Sequence, residues 1–104
     1  MKTIITSAED NLNAQMDLRF GRCAWFCLYN HDDAQTTFIS NKFKDARGGA
    51  GTKVAEMMLT MGVDRIISGD FGPKAKEMLD KYNIQLIKMD NDHKTISEII
   101  ALIQ

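Results

Sequence analysis

The sequence predicts a three-layer α/β domain with a five-stranded mixed sheet. The second strand is antiparallel and helices cover both faces. Three observations carry this reading. The predicted elements follow the order β-β-β-α-β-α-β-α. A tight polar connection, His31-Asp32-Asp33-Ala34, joins the second and third strands as a hairpin. Glycine-rich junctions at Gly48–Gly51 and Gly69–Gly72 then open into helices, and the later β-α-β units demand right-handed crossovers and parallel strands.

Lys2 to Ser7 reads as the first strand, with Ile4 and Ile5 flanked by β-branched threonines. Ala8 to Arg22 is polar and irregular, and a loop of about fifteen residues in a small domain is usually functional or mobile. Trp25 to Asn30 is an aromatic-rich strand, and Gln35 to Asn41 is its hairpin partner. A helix is expected from about Thr52 to Met61, where Val54, Met57, Met58 and Met61 recur at helical spacing. Gly62 stands where a C-terminal glycine ends a helix. Asp64 to Ser68 forms the fourth strand around Ile66 and Ile67. Pro73 suits the first turn of a helix reaching Tyr82, with Ala75, Met78, Leu79 and Tyr82 as its buried face. Ile84 to Met89 is the last strand, and Asp90 to Lys94 is a loop. A final helix from Thr95 buries Ile96, Ile99, Ile100 and Ile103.

At 104 residues the chain is one domain, with the 44% hydrophobic and 26% charged content of an ordinary globular protein. A net charge of −1 gives no global attraction to nucleic acid or anionic membrane. No run approaches the roughly 20 apolar residues of a membrane span. An N-terminus that enters a strand at once predicts no signal peptide. Two cysteines and seven methionines predict a reducing cytoplasm rather than a disulfide framework.

Six of the seven glycines fall in three loops. In an open α/β sheet, ligands bind beyond the carboxyl ends of the parallel strands. The second strand runs the other way, so its beginning shares that edge. Arg19 to Cys23, the Gly48 loop and the Gly69 loop should therefore converge, with His93 off to one side and His31 on the opposite edge. Loops that end in helix N-termini point free N–H groups at an anion. Arg19 and Arg22, around Phe20-Gly21, are placed to clamp one by bidentate hydrogen bonds.

Gly48-Gly49-Ala50-Gly51-Thr52-Lys53 fails the nucleotide phosphate-loop pattern, because Thr52 intervenes between Gly51 and Lys53. A generic anion nest remains, against the plainer alternative of a tight turn without a ligand. Asp70 in the next junction can itself cap the following helix. Cys23 and Cys27, four residues apart on a strand, span about 13 Å, too far for one metal ion. Cys27 is expected to pack in the core, Cys23 is the candidate thiolate ligand at the mouth of the site, and His93 is a further metal candidate. No nucleophile–base pair stands out. The first strand carries no acid to anchor a two-metal nuclease centre.

These loops together resemble the dinitrogenase iron–molybdenum cofactor biosynthesis family, small proteins with a ribonuclease H-like fold. The resembling residues are Asp17-Leu18-Arg19-Phe20-Gly21-Arg22 with the strand that follows, Asn41, and Gly49-Ala50-Gly51. They continue through Gly62-Val63-Asp64 and Gly69 with Gly72-Pro73-Lys74-Ala75, so the match spans the chain. The resemblance implies a non-enzymatic domain that binds and carries an anionic iron–sulfur or iron–molybdenum type cluster, exchanging it with donor or acceptor proteins. The implied binding residues are Arg19, Phe20, Gly21, Arg22, Asn41, Gly49, Ala50, Gly51, Thr52, Gly69 and Gly72. The chain departs from the family pattern at Asp70, where small or neutral residues are usual, and Cys23 and Cys27 lie outside the shared motif. The contrasting reading is a small regulatory or interaction domain that takes an organic phosphate or a protein partner at the same edge.

Overall fold

The computed structural model describes residues 1–90 and 93–104, so the predicted Asp90–Lys94 loop falls partly outside the described residues. The elements are β1 (Lys2–Ser7), β2 (Trp25–Asn30), β3 (Gln35–Ser40), α1 (Ala50–Met61), β4 (Arg65–Ser68), α2 (Pro73–Lys81), β5 (Gln85–Lys88) and α3 (Ile96–Ile103). They form one five-stranded sheet in the order β3-β2-β1-β4-β5. β2 is antiparallel to β1 and β3, whereas β1, β4 and β5 run parallel. This is the predicted three-layer mixed sheet, with β2 as its antiparallel strand.

β1 is central, and Ile4 and Ile5 are both fully buried because each faces a different covered side of the sheet. On one side Ile4, Phe26 and Ile66 pack with Phe20, Val54 and Met58 of α1 and Leu79 of α2. On the other, Ile5, Cys27 and Ile67 pack with Ile96, Ile99 and Ile100 of α3. α3 has only eight residues and cannot cover that face alone. The 8–22 segment completes the cover with Ala14 and Met16, which are 3% and 2% exposed. Burying a side chain such as Met16 contributes about 1.5–3 kcal/mol.

Main-chain bonds fasten this long segment at several points. The Ala8 amide donates to the Gln15 carbonyl, Asp17 to Thr6, and Met16 to Lys94. Ile96 and Ser97 donate in return to Ala14 and Leu12. The expected irregular loop is thus part of the α3 layer. It also carries the site residues 19–22 on a fixed base.

Two local expectations change. α1 starts at Ala50 rather than Thr52, because Gly49 adopts a left-handed conformation (φ 68°) and turns the chain into the helix there. Tyr82 is exposed instead of buried. It follows the last helical residue as the C-cap of α2, and Asn83 then takes a positive φ that turns the chain away.

Candidate functional site

The carboxyl ends of β1, β3 and β4 and the start of β2 deliver three loops to one edge, as the topology requires. Their contact is unusually close. A Cβ added to Gly21 would lie 2.8 Å from the Gly51 nitrogen and 3.0 Å from its Cα. Only hydrogen fits there, so the 19–22 turn rests directly on the first turn of α1. Gly69 meets the same segment from the other side, where an added Cβ would stand 2.6 Å from the Leu18 Cα. Arg19 and Asp70 form a parallel bridge between these two segments.

Gly51 also touches α2, since an added Cβ would lie 3.6 Å from the Ala75 Cβ. The N-termini of α1 and α2 are therefore neighbours. Neither has a side-chain cap, and neither first turn contains an acidic residue. The Thr52 hydroxyl donates to the Gly49 carbonyl and so satisfies no amide. Asp70, which the sequence offered as a cap for α2, does not cap it. Two helix ends with unsatisfied amides and positive dipole poles thus border the same space.

That space is a groove of about 430 Å³ lined by residues 19–22, 49–52, 70 and 72–75. Its charged side chains are Arg19, Arg22, Lys74 and Asp70. Both arginines have protein partners, which modifies the expected clamp. Arg19 is paired through Nε and Nη2 with the Asp17 carboxylate at 3.1–3.2 Å, so much of its charge is locally compensated. Arg22 Nη1 donates to the Lys44 and Ala46 carbonyls at 2.9 and 2.6 Å. Those partners are neutral, so the Arg22 charge remains uncompensated by them while it fixes the chain between β3 and α1.

Several expected binding residues have other places. Asn41 does not line the groove. It is 3% exposed, and its amide nitrogen donates to the Gly21 and Cys23 carbonyls at 3.0 and 2.8 Å. Its amide oxygen accepts from the Phe43 N–H. Asn41 thereby holds the 21–23 turn in place. Gly69 is also absent from the groove wall and serves the approach to Leu18. Phe20 borders the groove, but it is 1% exposed, and its ring packs against Phe71 with centroids 5.2 Å apart.

Cys23 is corrected most. It is fully buried in the core under α1 and α2, and its thiol donates to the Phe20 carbonyl at 3.6 Å. Burial is the first cause that pushes its pKa up to about 12, with the Asp17 charge second, so it stays a neutral thiol. Cys27 packs in the opposite core layer, and burial raises it to about 12 as well. His93 is not among the groove-lining residues. Among the described residues, no group of three or more His, Cys, Asp or Glu side chains is placed to hold a metal ion. His31 lies at the opposite edge, with Nε2 2.8 Å from the Thr3 hydroxyl.

Lys74 lines the groove as a further cation, beyond the expected binding residues. Its signal was its position directly after Pro73, in the first turn of a helix entered from Gly72. A second groove of about 540 Å³ runs along α1 and α2 and shares Thr52 and Lys74 with the first. Glu56 and Glu77 offset Lys74 and Lys81 along it, so its polarity suits an anion less well than the first groove, where three cations face one acid.

No helix among the described residues is long and apolar enough to cross a membrane. The family model described as dinitrogenase iron–molybdenum cofactor matches residues 1–104. An uncharacterized protein of Methanocaldococcus jannaschii is 29% identical over 93 residues, which cover 86% of this chain and 77% of that protein. The apo form of the orange protein from Desulfovibrio gigas superimposes with a TM-score of 0.89 at 23% identity. A putative NifB protein from Thermotoga, described as belonging to the DUF35 family, gives 0.81 at 24%. Each of these two alignments covers 98% of this chain and 85% of the other. At such identities the likeness establishes the fold.

Proposed function

The chain belongs to the dinitrogenase iron–molybdenum cofactor family, and from that premise we propose that it binds and carries an anionic iron–sulfur or iron–molybdenum type cluster. The observation that carries this reading is the pair of uncapped helix N-termini side by side in one groove. Amides of residues 50–52 would donate to sulfide or oxo groups, joined by those of Lys74 and Ala75. Arg22 and Lys74 would supply compensating charge.

The donor set further defines the cargo. The groove is lined by amides, two guanidinium groups and an ammonium group beside the single Asp70 carboxylate, with no thiol or imidazole among its described side chains. Such donors hold an anion from outside its coordination sphere. A cluster whose metals are already saturated by sulfide or oxo ligands fits this chemistry better than one awaiting cysteine thiolates. The protein then acts as a carrier rather than a catalyst, exchanging cargo with donor and acceptor proteins. Its two free thiols suit a reducing cytoplasm.

Anaerobic reconstitution with iron, sulfide and molybdate, followed by desalting, visible absorption and metal analysis, tests this reading. Wild type is expected to retain coloured metal. Arg22→Ala and Lys74→Ala should each retain less, and the latter disturbs no loop anchor. A wild type that stays colourless and metal-free, yet binds a small organic phosphate at the same groove, would transfer the site to the regulatory reading.

A further inference from the structure

The sheet has two edges, and only one carries the usual protection against pairing with another chain. β5 is four residues long and ends in Lys88. Short strands and lysines both blunt an edge. β3 at the other edge has six residues, Gln-Thr-Thr-Phe-Ile-Ser, with neither charge nor proline. Half of this strand is exposed and half is partly buried. Among the described residues, no main-chain bond from another loop or strand reaches its outer side.

The direction of the free groups follows from the ladder. The Asn41 amide donates inward to the Ala24 carbonyl. Residue orientation alternates along an antiparallel strand, so the main-chain groups of Thr36, Phe38 and Ser40 point outward. They form a ready-made template of donors and acceptors.

We infer that β3 pairs antiparallel with β3 of a second copy of this chain, around a two-fold axis at Phe38. A two-fold axis through this edge makes the surface its own partner. Charge favours that occupant. The turn before β3 carries Asp33 and Asp32, the latter already paired with the Met1 ammonium at 3.1 Å, and the segment after it carries Lys42 and Lys44 against the single acid Asp45. Antiparallel pairing sets the acidic end of one copy beside the basic end of the other. The Phe38 side chains, now only partly buried against the α3 layer, become cross-strand neighbours. The paired edge lies on the first strand of the order β3-β2-β1-β4-β5, away from α2 and its side of the groove.

Sedimentation of the full chain at rising concentration tests this pairing. Wild type is expected to approach twice the 11.7 kDa chain mass, and added salt should weaken the association. Thr37→Lys places a charge on an exposed position of the edge and should return the mass to one chain with an unchanged circular dichroism spectrum. Phe38→Cys should give a covalent dimer on mild oxidation, since residues facing each other across a hydrogen-bonded pair lie within disulfide reach. A wild type that remains one chain at every concentration overturns the inference. So does a folded Thr37→Lys variant that keeps the doubled mass, which would place the contact elsewhere.

Discussion

Gly21 and Gly51 meet backbone to backbone, with only 2.8 Å between the Gly51 nitrogen and the position a Gly21 Cβ would occupy. This contact sets the distance between the 19–22 turn and the α1 N-terminus. It therefore governs both packing and groove shape. Gly21→Ala is expected to destabilise the fold by about 1–3 kcal/mol, because the neighbour that must yield is main chain. Gly48→Ala meets nothing within 4 Å and should leave stability nearly unchanged. Thermal denaturation of the two variants side by side decides the point, and equal melting temperatures would contradict it.

Asn41 is buried and bonds to three main-chain groups, the Gly21 and Cys23 carbonyls and the Phe43 amide. Asn41→Ala leaves these groups without their partner and should cost on the order of 3 kcal/mol. Asn41→Asp retains the acceptor for Phe43 but sets a carboxylate against two carbonyls, so it should be no better tolerated. Urea unfolding measures both, and a loss below that of an ordinary surface substitution would refute the anchoring role.

Cys23 packs in the core and lines no part of the groove. Cys23→Ala should lose about 1 kcal/mol or somewhat more through the small cavity left, yet keep the metal loading of wild type in reconstitution. In the native protein, both thiols should react with a thiol reagent far more slowly than after unfolding, since each is buried and raised to about 12. Loss of metal from a folded Cys23→Ala variant would restore the thiolate reading.

His31 makes the opposite edge sensitive to acid. Its Nε2 lies 2.8 Å from the Thr3 hydroxyl and 3.3 Å from Arg65 Nη2, while Arg65 Nε donates to Thr3. Burial first, then the Arg65 charge, lowers its pKa from the ordinary 6.5. The unfolded chain therefore takes up the proton more readily than the folded one. The stabilising contribution is fully present above 6.5 and is lost as pH falls through the lower folded value. Urea midpoints should drop across that window in wild type and drop less in His31→Gln. Parallel pH profiles would exclude His31 as the source.

Much of this architecture was legible in local sequence. Ile4 and Ile5 marked a strand buried on both sides, the four residues of His31–Ala34 marked a hairpin, and Thr95 marked a helix start. Thr95 indeed accepts from the Glu98 amide in a capping box. Such signals depend on neighbours within a few residues, so periodicity and turn chemistry express them directly. The convergence of residues 19–22, 49–52 and 72 in one groove also followed from strand direction alone.

Side-chain destinations were decided elsewhere. Nothing near Asn41 or Cys23 in sequence distinguishes a groove residue from a buried anchor, because their partners arrive from turns brought together by the sheet. Arg22 reads as an anion clamp until the segment beyond β3 presents it with the Lys44 and Ala46 carbonyls. Asp70 reads as a helix cap until the Arg19–Asp70 bridge places it beside the 8–22 segment. Local pattern along the chain sets the elements, their directions and the edge where glycines gather. Which side chains face that edge depends on the assembled fold, because burial and hydrogen-bond partners come from contacts among residues distant along the chain.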